Sequence, residues 1–296
     1  MAQRRRQDYD AGIKGTGRVM RKLMAVILGL ALAGPAFGQV SAATDGPLPT
    51  TIAAAFREAM RSSPVPQGLA EAHRYWTEDG SQADDLDYLG RLQARIRQDR
   101  IAQAARPTPL SLTETCVAVL LQGCSVAGAG MLPLDRERRL WWQVQEGHTD
   151  EDGVGGGLLV FEQTGDGPLI PVVWTFEAGL YEAPILTRVD SGPLLVAPGV
   201  SRGNGAGDAS VVMIRHEGGW RAVDTDWQGR AGPLLNGREV RHRPYWYWQE
   251  MMAMTPLWRP GDAACCGRAG VAMLSFDVVD ERLTLTELRM LAPRDD

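Results

Sequence analysis

The sequence predicts an α+β chain that is mainly β: a short helical N-terminal region, then an antiparallel β-sandwich or barrel-like sheet. Three observations carry that reading. Glycine and proline are plentiful, 34 and 18 in 296 residues, which supplies many turns. Up to about residue 105 the apolar residues recur three or four apart, whereas after Pro109 they fall into short runs. Tight turn sequences separate those runs at near-regular spacing, with no βαβ rhythm and no repeat strong enough to dictate a propeller.

The chain opens on an address. Arg21-Lys22 precede the uncharged apolar run Leu23–Ala33, Gly34-Pro35 breaks it, and Ala36-Phe37-Gly38 offers small residues where a signal peptidase reads. Residues 1–38 therefore read as a secretory signal, with cleavage after Gly38 or, as a second site, after Ala42. A bilayer-spanning helix needs about 20 apolar residues, so an uncleaved anchor is the weaker alternative. Met20 makes a normal start for a compact signal, and Arg4-Arg5-Arg6 lacks the apolar residues that follow a twin-arginine motif.

Residues 39–48 form a linker, and residues 49–105 are helical. Thr50-Thr51 caps a first helix through Met60, a second runs from Gln67 to Trp76, and Ser81 caps a third. In the third, Leu86, Leu89, Leu92 and Ile96 form the apolar face, with Arg91, Arg95, Arg97, Asp99 and Arg100 as a solvated one. Arg106-Pro107-Thr108-Pro109 ends the helices, and residues 110–296 form the β-rich domain. Its strands are read at Cys116–Leu121, Leu140–Val144, Leu158–Phe161, Ile170–Phe176, Leu194–Ala197, Val211–Arg215 and Met273–Val278. Hairpins turn at Gly218-Gly219 and at Asp280-Glu281.

Charge narrows the function classes. Residues 1–38 hold seven basic and two acidic residues, so the 258 that follow carry a net charge of −10, against −5 for the whole chain. Such a body repels phosphate backbones, which argues against nucleic acid as a partner. The only lysines are Lys14 and Lys22, which removes a phosphate-loop lysine, a Schiff-base lysine and a Ser-Lys dyad from the remainder. The expectation is an exported protein, periplasmic or secreted, with no stable membrane span after signal cleavage, no cofactor, and an unknown protein or glycan as partner.

The candidate chemistry is thin. Gly199-Val200-Ser201-Arg202-Gly203 matches the G-x-S-x-G pattern, with His216 or His242 and Asp208, Asp224 or Asp226 as possible triad partners. A nucleophile elbow needs a helix starting at its serine, and Asn204-Gly205-Ala206-Gly207 does not start one, so Ser201, His216 and Asp224 stand only as weak catalytic candidates. Asp224 and Asp226, two apart on a strand, share a face at about 6–7 Å, between the usual retaining and inverting separations. Asp150 and Asp152 resemble part of a calcium loop without its distal glutamate, and read as an exposed acidic hairpin loop before a glycine run. His73, His148, His216 and His242 stand alone, with no metal-ligand spacing.

Tyr245-Trp246-Tyr247-Trp248 is the densest aromatic run, with Trp258 beyond it. Tyr245, Trp246 and Trp248 form a possible glycan platform, because exposed aromatic faces stack on sugar rings. The competing expectation is a short helix from Pro244 through Met254 that buries Trp248, Met251 and Met252.

Four cysteines in an exported chain imply disulfides. Were residues 116–124 one extended strand, Cys116 and Cys124 would lie about 26 Å apart. The expectation is a vicinal Cys265–Cys266 bond, with Cys116 and Cys124 free and buried or bonded elsewhere; a single link from either to the dipeptide is the alternative. The segment Gly261-Asp262-Ala263-Ala264-Cys265-Cys266 follows a Pro198–Gly205 loop and a Gly218–Asp224 hairpin. Together they resemble uncharacterised exported bacterial proteins with a G-D-x-x-C-C segment, over about residues 155–290. In those relatives a proline often follows the second cysteine, whereas Gly267 stands here. The resemblance implies export and a β-rich body, and no activity. The overall expectation is a non-catalytic binding or envelope-associated protein, the alternatives being a hydrolase of glycan or ester and a carbohydrate-binding module.

Overall fold

The computed structural model describes residues 46–79, 85–118, 121–149, 153–201 and 207–291. Ser81, Asp150, Asp152 and residues 1–38, read above as a signal, lie outside them. The helices are α1 (Ile52–Ser62), α2 (Gln67–Asp79), α3 (Asp85–Ala104), α4 (Pro109–Glu114) and the one-turn α5 (Gly232–Leu235). Thr51 caps α1, its hydroxyl accepting from the Ala54 amide. Pro109 does not end the helical part but begins α4, where Thr108 and Ser111 bond each other's backbone amides.

The rest is antiparallel β-sheet. The first sheet is β1 (Gln122–Pro133), β2 (Arg138–Thr149), β3 (Gly153–Thr164) and β4 (Ile170–Thr175), in that order. The second has the order β10-β9-β7-β6, from β6 (Ile185–Val189), β7 (Gly192–Ala197), β9 (Val211–His216) and β10 (Gly219–Ala222). The third runs β11 (Tyr245–Tyr247), β12 (Met252–Pro256), β13 (Val271–Val279) and β14 (Arg282–Leu291). A small ribbon pairs β5 (Ala178–Tyr181) with β8 (Gly199–Ser201). The hairpins at Gly218-Gly219 and Asp280-Glu281 form as their turn sequences predict.

The three larger sheets stack in chain order. Leu194, Val196, Val212 and Ile214 face the third sheet, against Leu274, Phe276 and Leu283. Their neighbours Leu195, Ala197, Val211 and Met213 face the first sheet, against Leu140, Leu158 and Val160. Within the first sheet, Leu159 and Phe161 turn away from that core, toward Ala102 of α3 and Leu112 of α4. Strands β3, β7 and β9 thus bury both faces, which is why they read as unbroken apolar runs. The glycine run Gly155–Gly157 belongs to β3 and not to a loop. A Cβ at Gly156 would stand 3.0 Å from Leu180 Cα, and one at Gly157 2.6 Å from Phe176 Cε1, so β5 lies on β3 only because those side chains are absent.

Two expectations for the helical region fail. Leu86 is 85% exposed, and the apolar face of α3 centres on Tyr88, Leu92 and Ile96. Arg95 and Asp99, expected in solvent, are buried. The Asp99 carboxylate accepts from Ser62 Oγ at 2.8 Å, Trp174 Nε1 at 2.8 Å and Arg95 Nε at 3.3 Å. Arg95 also donates to Glu177 and to Ser63 Oγ. The pair therefore joins α1, α3 and the end of β4, and the helices share a polar anchor with the first sheet.

The expected strand Cys116–Leu121 is absent, and the ladder begins at Gln122. Cys116 and Cys124 are instead bonded, with Cα atoms 6.3 Å apart, which corrects the expectation that they remain free or pair elsewhere. Two buried glutamines on β2 make the turn possible. Gln143 accepts from the Val117 amide and donates to Leu112 O and Thr115 O, while Gln145 donates to Val117 O and Gln143 Oε1. They supply partners for the backbone of Leu112, Thr115 and Val117 before the first strand.

Two predictions concern stability. Asp99→Ala leaves Arg95 buried with one carboxylate, so urea unfolding is expected to show a loss of about 3 kcal/mol. Arg91→Ala, at an exposed pair on the same helix, should be near neutral. His73 stacks on Phe56 at 3.7 Å, and burial lowers its pKa below 6.5. The unfolded chain therefore takes up its proton first, so this contribution is complete above about pH 6.5 and is lost as pH falls below it. The urea midpoint of His73→Phe should fall less between pH 7.5 and 5.5 than that of the parent.

Candidate functional site

A cleft of about 680 Å³ opens where β5, β6 and β8 approach the segment from His242 to Glu250. The aromatic run does not form a helix. Tyr245–Tyr247 is an edge strand paired with β12, followed by a 3-10 turn at Trp248–Glu250 that Met251 closes in the left-handed region. On a strand alternate side chains share a face. Tyr245 and Tyr247 point outward, 69% and 49% exposed, while Trp246 points inward. Trp246 stacks on Trp248 at 4.0 Å and 12°, and Trp248 is 4% exposed. The run is thus divided between ligand-accessible tyrosines and a packed tryptophan pair.

Polar groups converge on the same place. Trp246 Nε1 donates to Asp208 Oδ2 at 2.6 Å, which fixes the end of the Gly-rich loop against β11. Arg243 lies between two carboxylates, Nη2 to Glu182 Oε1 at 3.6 Å and Nε to Asp208 Oδ1 at 3.9 Å. Both distances exceed a hydrogen bond. His242 Nε2 faces Ala264 O at 3.1 Å, and its ring meets Trp258 edge-on at 4.9 Å. Trp258 itself is core, 1% exposed.

The G-D-x-x-C-C segment backs this wall. Gly261 has φ +90°, and the Asp262 carboxylate accepts from the Arg259 and Arg268 amides at 2.8 and 2.9 Å. Those bonds hold its pKa below the usual carboxylate range. Arg241 donates to Asp262 O, so the loop is tied to the segment that carries His242 and Arg243. The sulfurs of Cys265 and Cys266 lie 2.35 Å apart, with both residues exposed.

Ser201 and His216 are not brought together, whereas Asp208 is bridged to Val200 beside Ser201. Ser201 Oγ accepts from the Gly207 amide at 3.1 Å, beside the segment that enters β9. His216 stands at the other end of β9, about 16 Å from Val211 by five strand steps. There its Nε2 is 3.5 Å from Glu281 Oε1. Asp224 follows β10 past the Val223–Val212 bond and is held by Arg230 and the Glu281 backbone. Asp226 sits in the turn after Asp224, whose Oδ1 accepts its amide, so the two do not flank a strand face. His73 is packed among aromatic rings, and His148 Nδ1 meets Gly153 O. Among the described residues no three His, Cys, Asp or Glu side chains gather as a metal ion requires, and no helix is long and apolar enough to cross a membrane.

A second cleft, of about 440 Å³, spends its polar groups internally. Glu162 accepts from Arg215 at 3.1 Å and Trp220 Nε1 at 2.7 Å; burial pushes its pKa up, but those bonds outweigh it and hold it low. The aromatic cleft is therefore the candidate site. Glu182 and Arg243 were missed in the sequence, because β5 brings the first from far along the chain and the second reads as an ordinary basic residue before proline. No family model, curated protein or solved structure matches the chain.

Replacing Ser201 by alanine should leave binding or any activity within about twofold, since its hydroxyl only anchors the loop. A fluorophosphonate probe should leave Ser201 unlabelled; stoichiometric labelling would contradict this geometry.

Proposed function

We propose that the protein is an exported, non-catalytic binding protein whose aromatic cleft holds a glycan. The observation that carries this reading is the pair of exposed tyrosines, Tyr245 and Tyr247, on one face of an edge strand beside a cleft lined by Glu182, His242 and Arg243. Aromatic faces offer sugar rings an apolar contact, and planar charged groups match hydroxyl donors and acceptors. The signal-like residues 1–38 and the Cys116–Cys124 and Cys265–Cys266 pairs support an oxidising compartment outside the cytoplasm. The separation of Ser201 from His216, and the use of the Ser201 hydroxyl to hold the Gly207 amide, weigh against the hydrolase alternative.

Calorimetric titration with soluble cello-, chito- and malto-oligosaccharides tests the reading. At least one series should bind, and Tyr245→Ala/Tyr247→Ala should weaken it tenfold or more, from about 0.5–1.5 kcal/mol per stacked ring. Absence of binding to all three series, or an unchanged affinity in the double variant, would sink the proposal. N-terminal sequencing of the exported protein should begin at Gln39 or Ala43; a start at Met1 or Met20 would refute the cleaved signal.

A further inference from the structure

A disulfide stabilises a fold by holding together segments otherwise free to separate, and its effect grows with the length of chain it closes. By that measure the two cysteine pairs differ. Cys116 and Cys124 are eight residues apart, and Cys124 packs against the cluster that holds Ala102, Leu112 and Phe161. Cys265 and Cys266 are neighbours in the chain, so their bond closes nothing beyond their own peptide.

The loop that carries this second pair is complete without sulfur. Its neck is tied by the Leu257 amide to Gly270 O at 2.8 Å and by the Ala269 amide to Leu257 O at 3.0 Å. The Asp262 carboxylate joins the Arg259 amide to the Arg268 amide across the cysteines. Ala263 O accepts from the Cys266 amide at 3.1 Å and from Nε1 of the buried Trp258 at 3.2 Å. Gly267 leaves no room for a Cβ against Leu257 O, so the chain beyond the pair is pressed on the neck.

A bond that adds nothing to the fold is available for chemistry. Both cysteines are exposed, whereas Cys116 and Cys124 are half-buried. Thiol–disulfide exchange begins with a thiolate attacking one sulfur, so access comes first. Charge favours the next step. The Asp262 carboxyl is held low by the Arg259 and Arg268 amides and lowered further by the charge of the two guanidinium groups. Positive charge near a sulfur also favours thiolate over thiol, which makes it a better leaving group. Adjacency favours reversal, because the two Cα atoms stay 3.8 Å apart whether or not sulfur joins them.

We infer that Cys265–Cys266 is a thiol–disulfide exchange site, reduced by a dithiol partner while the rest of the fold stands. One thiolate of the partner attacks either sulfur, breaks the bond between them and forms a mixed disulfide. The partner's second thiolate then displaces that sulfur, and the partner leaves as a disulfide. Two electrons and two protons pass to Cys265 and Cys266, which end as thiols; an oxidised partner reverses the sequence. The inference is independent of what the aromatic cleft binds.

The probe is dithiothreitol, added to the folded, oxidised protein, with iodoacetamide trapping and peptide mapping. Cys265 and Cys266 should be alkylated at least about tenfold faster than Cys116 and Cys124, because access governs the attack. Far-ultraviolet circular dichroism should be unchanged at that point, and in an untrapped aliquot oxidised glutathione should restore the bond. The urea midpoint of Cys265→Ser/Cys266→Ser should stay within about 0.2 M of the parent, whereas Cys116→Ser/Cys124→Ser should lower it further. Both pairs opening together, reduction only with loss of the dichroism, or no reoxidation by glutathione would each overturn the inference. So would a Cys265→Ser/Cys266→Ser protein as destabilised as the other double variant, since the bond would then be a structural staple.

Discussion

Strands β3, β7 and β9 bury both faces, and a sheet so enclosed needs an apolar neighbour on either side. The second sheet meets that demand from both directions, through Leu194, Val196, Val212 and Ile214 on one face and Leu195, Ala197, Val211 and Met213 on the other. Everything else follows from keeping the stack closed. The first sheet needs a cover for Leu159, Phe161 and Trp174, and the helices provide it. The third sheet has its inner face on the second, and its edge strand β11 turns two tyrosines outward.

Polar chemistry is confined to the places where the apolar stack has to be joined to something else. Asp99 reaches Trp174 and Arg95 reaches Glu177, so the helical cover is pinned by groups whose hydrogen bonds are met inside the protein. Gln143 and Gln145 do the same for the loop that carries Cys116. Such networks are favourable only when every member is paired, since a lone buried group costs its full desolvation. Beside the aromatic cleft, buried atoms of His242, Arg243 and Trp248 break this pattern, next to a loop tied in place by the bonds of Asp262 and Arg241.

The catalytic pattern around Ser201 shows why spacing alone misleads. The motif places a serine between glycines after an apolar strand, as an elbow does. Here the serine ends β8, and the chain returns at once to pair Gly207 and Ala209 with it, so its hydroxyl is used to close a loop. The length of β9 then holds His216 at the opposite end of the strand. Strand length, a property of the backbone, overrules the side-chain inventory.

Local order was legible in the sequence, because it depends on residues near one another in the chain. The period of apolar residues marked α1, α3 and at least one strand in each of the three sheets, though not β1, β6, β11 or β12, and the turn dipeptides set the β9–β10 and β13–β14 hairpins. Tertiary structure decided what depends on neighbours distant in the chain. Arg95 and Asp99 look like solvent residues until Trp174 and Glu177 arrive from the first sheet. Cys116 and Cys124 look too far apart until Gln143 and Gln145, from β2, hold the Val117 backbone beside the first sheet. Period-two geometry separates Tyr245 and Tyr247 from Trp246, but only the packing of Trp246 on Trp248 and Phe276 determines which face meets solvent. Burial is a relation between segments, and no single segment carries it.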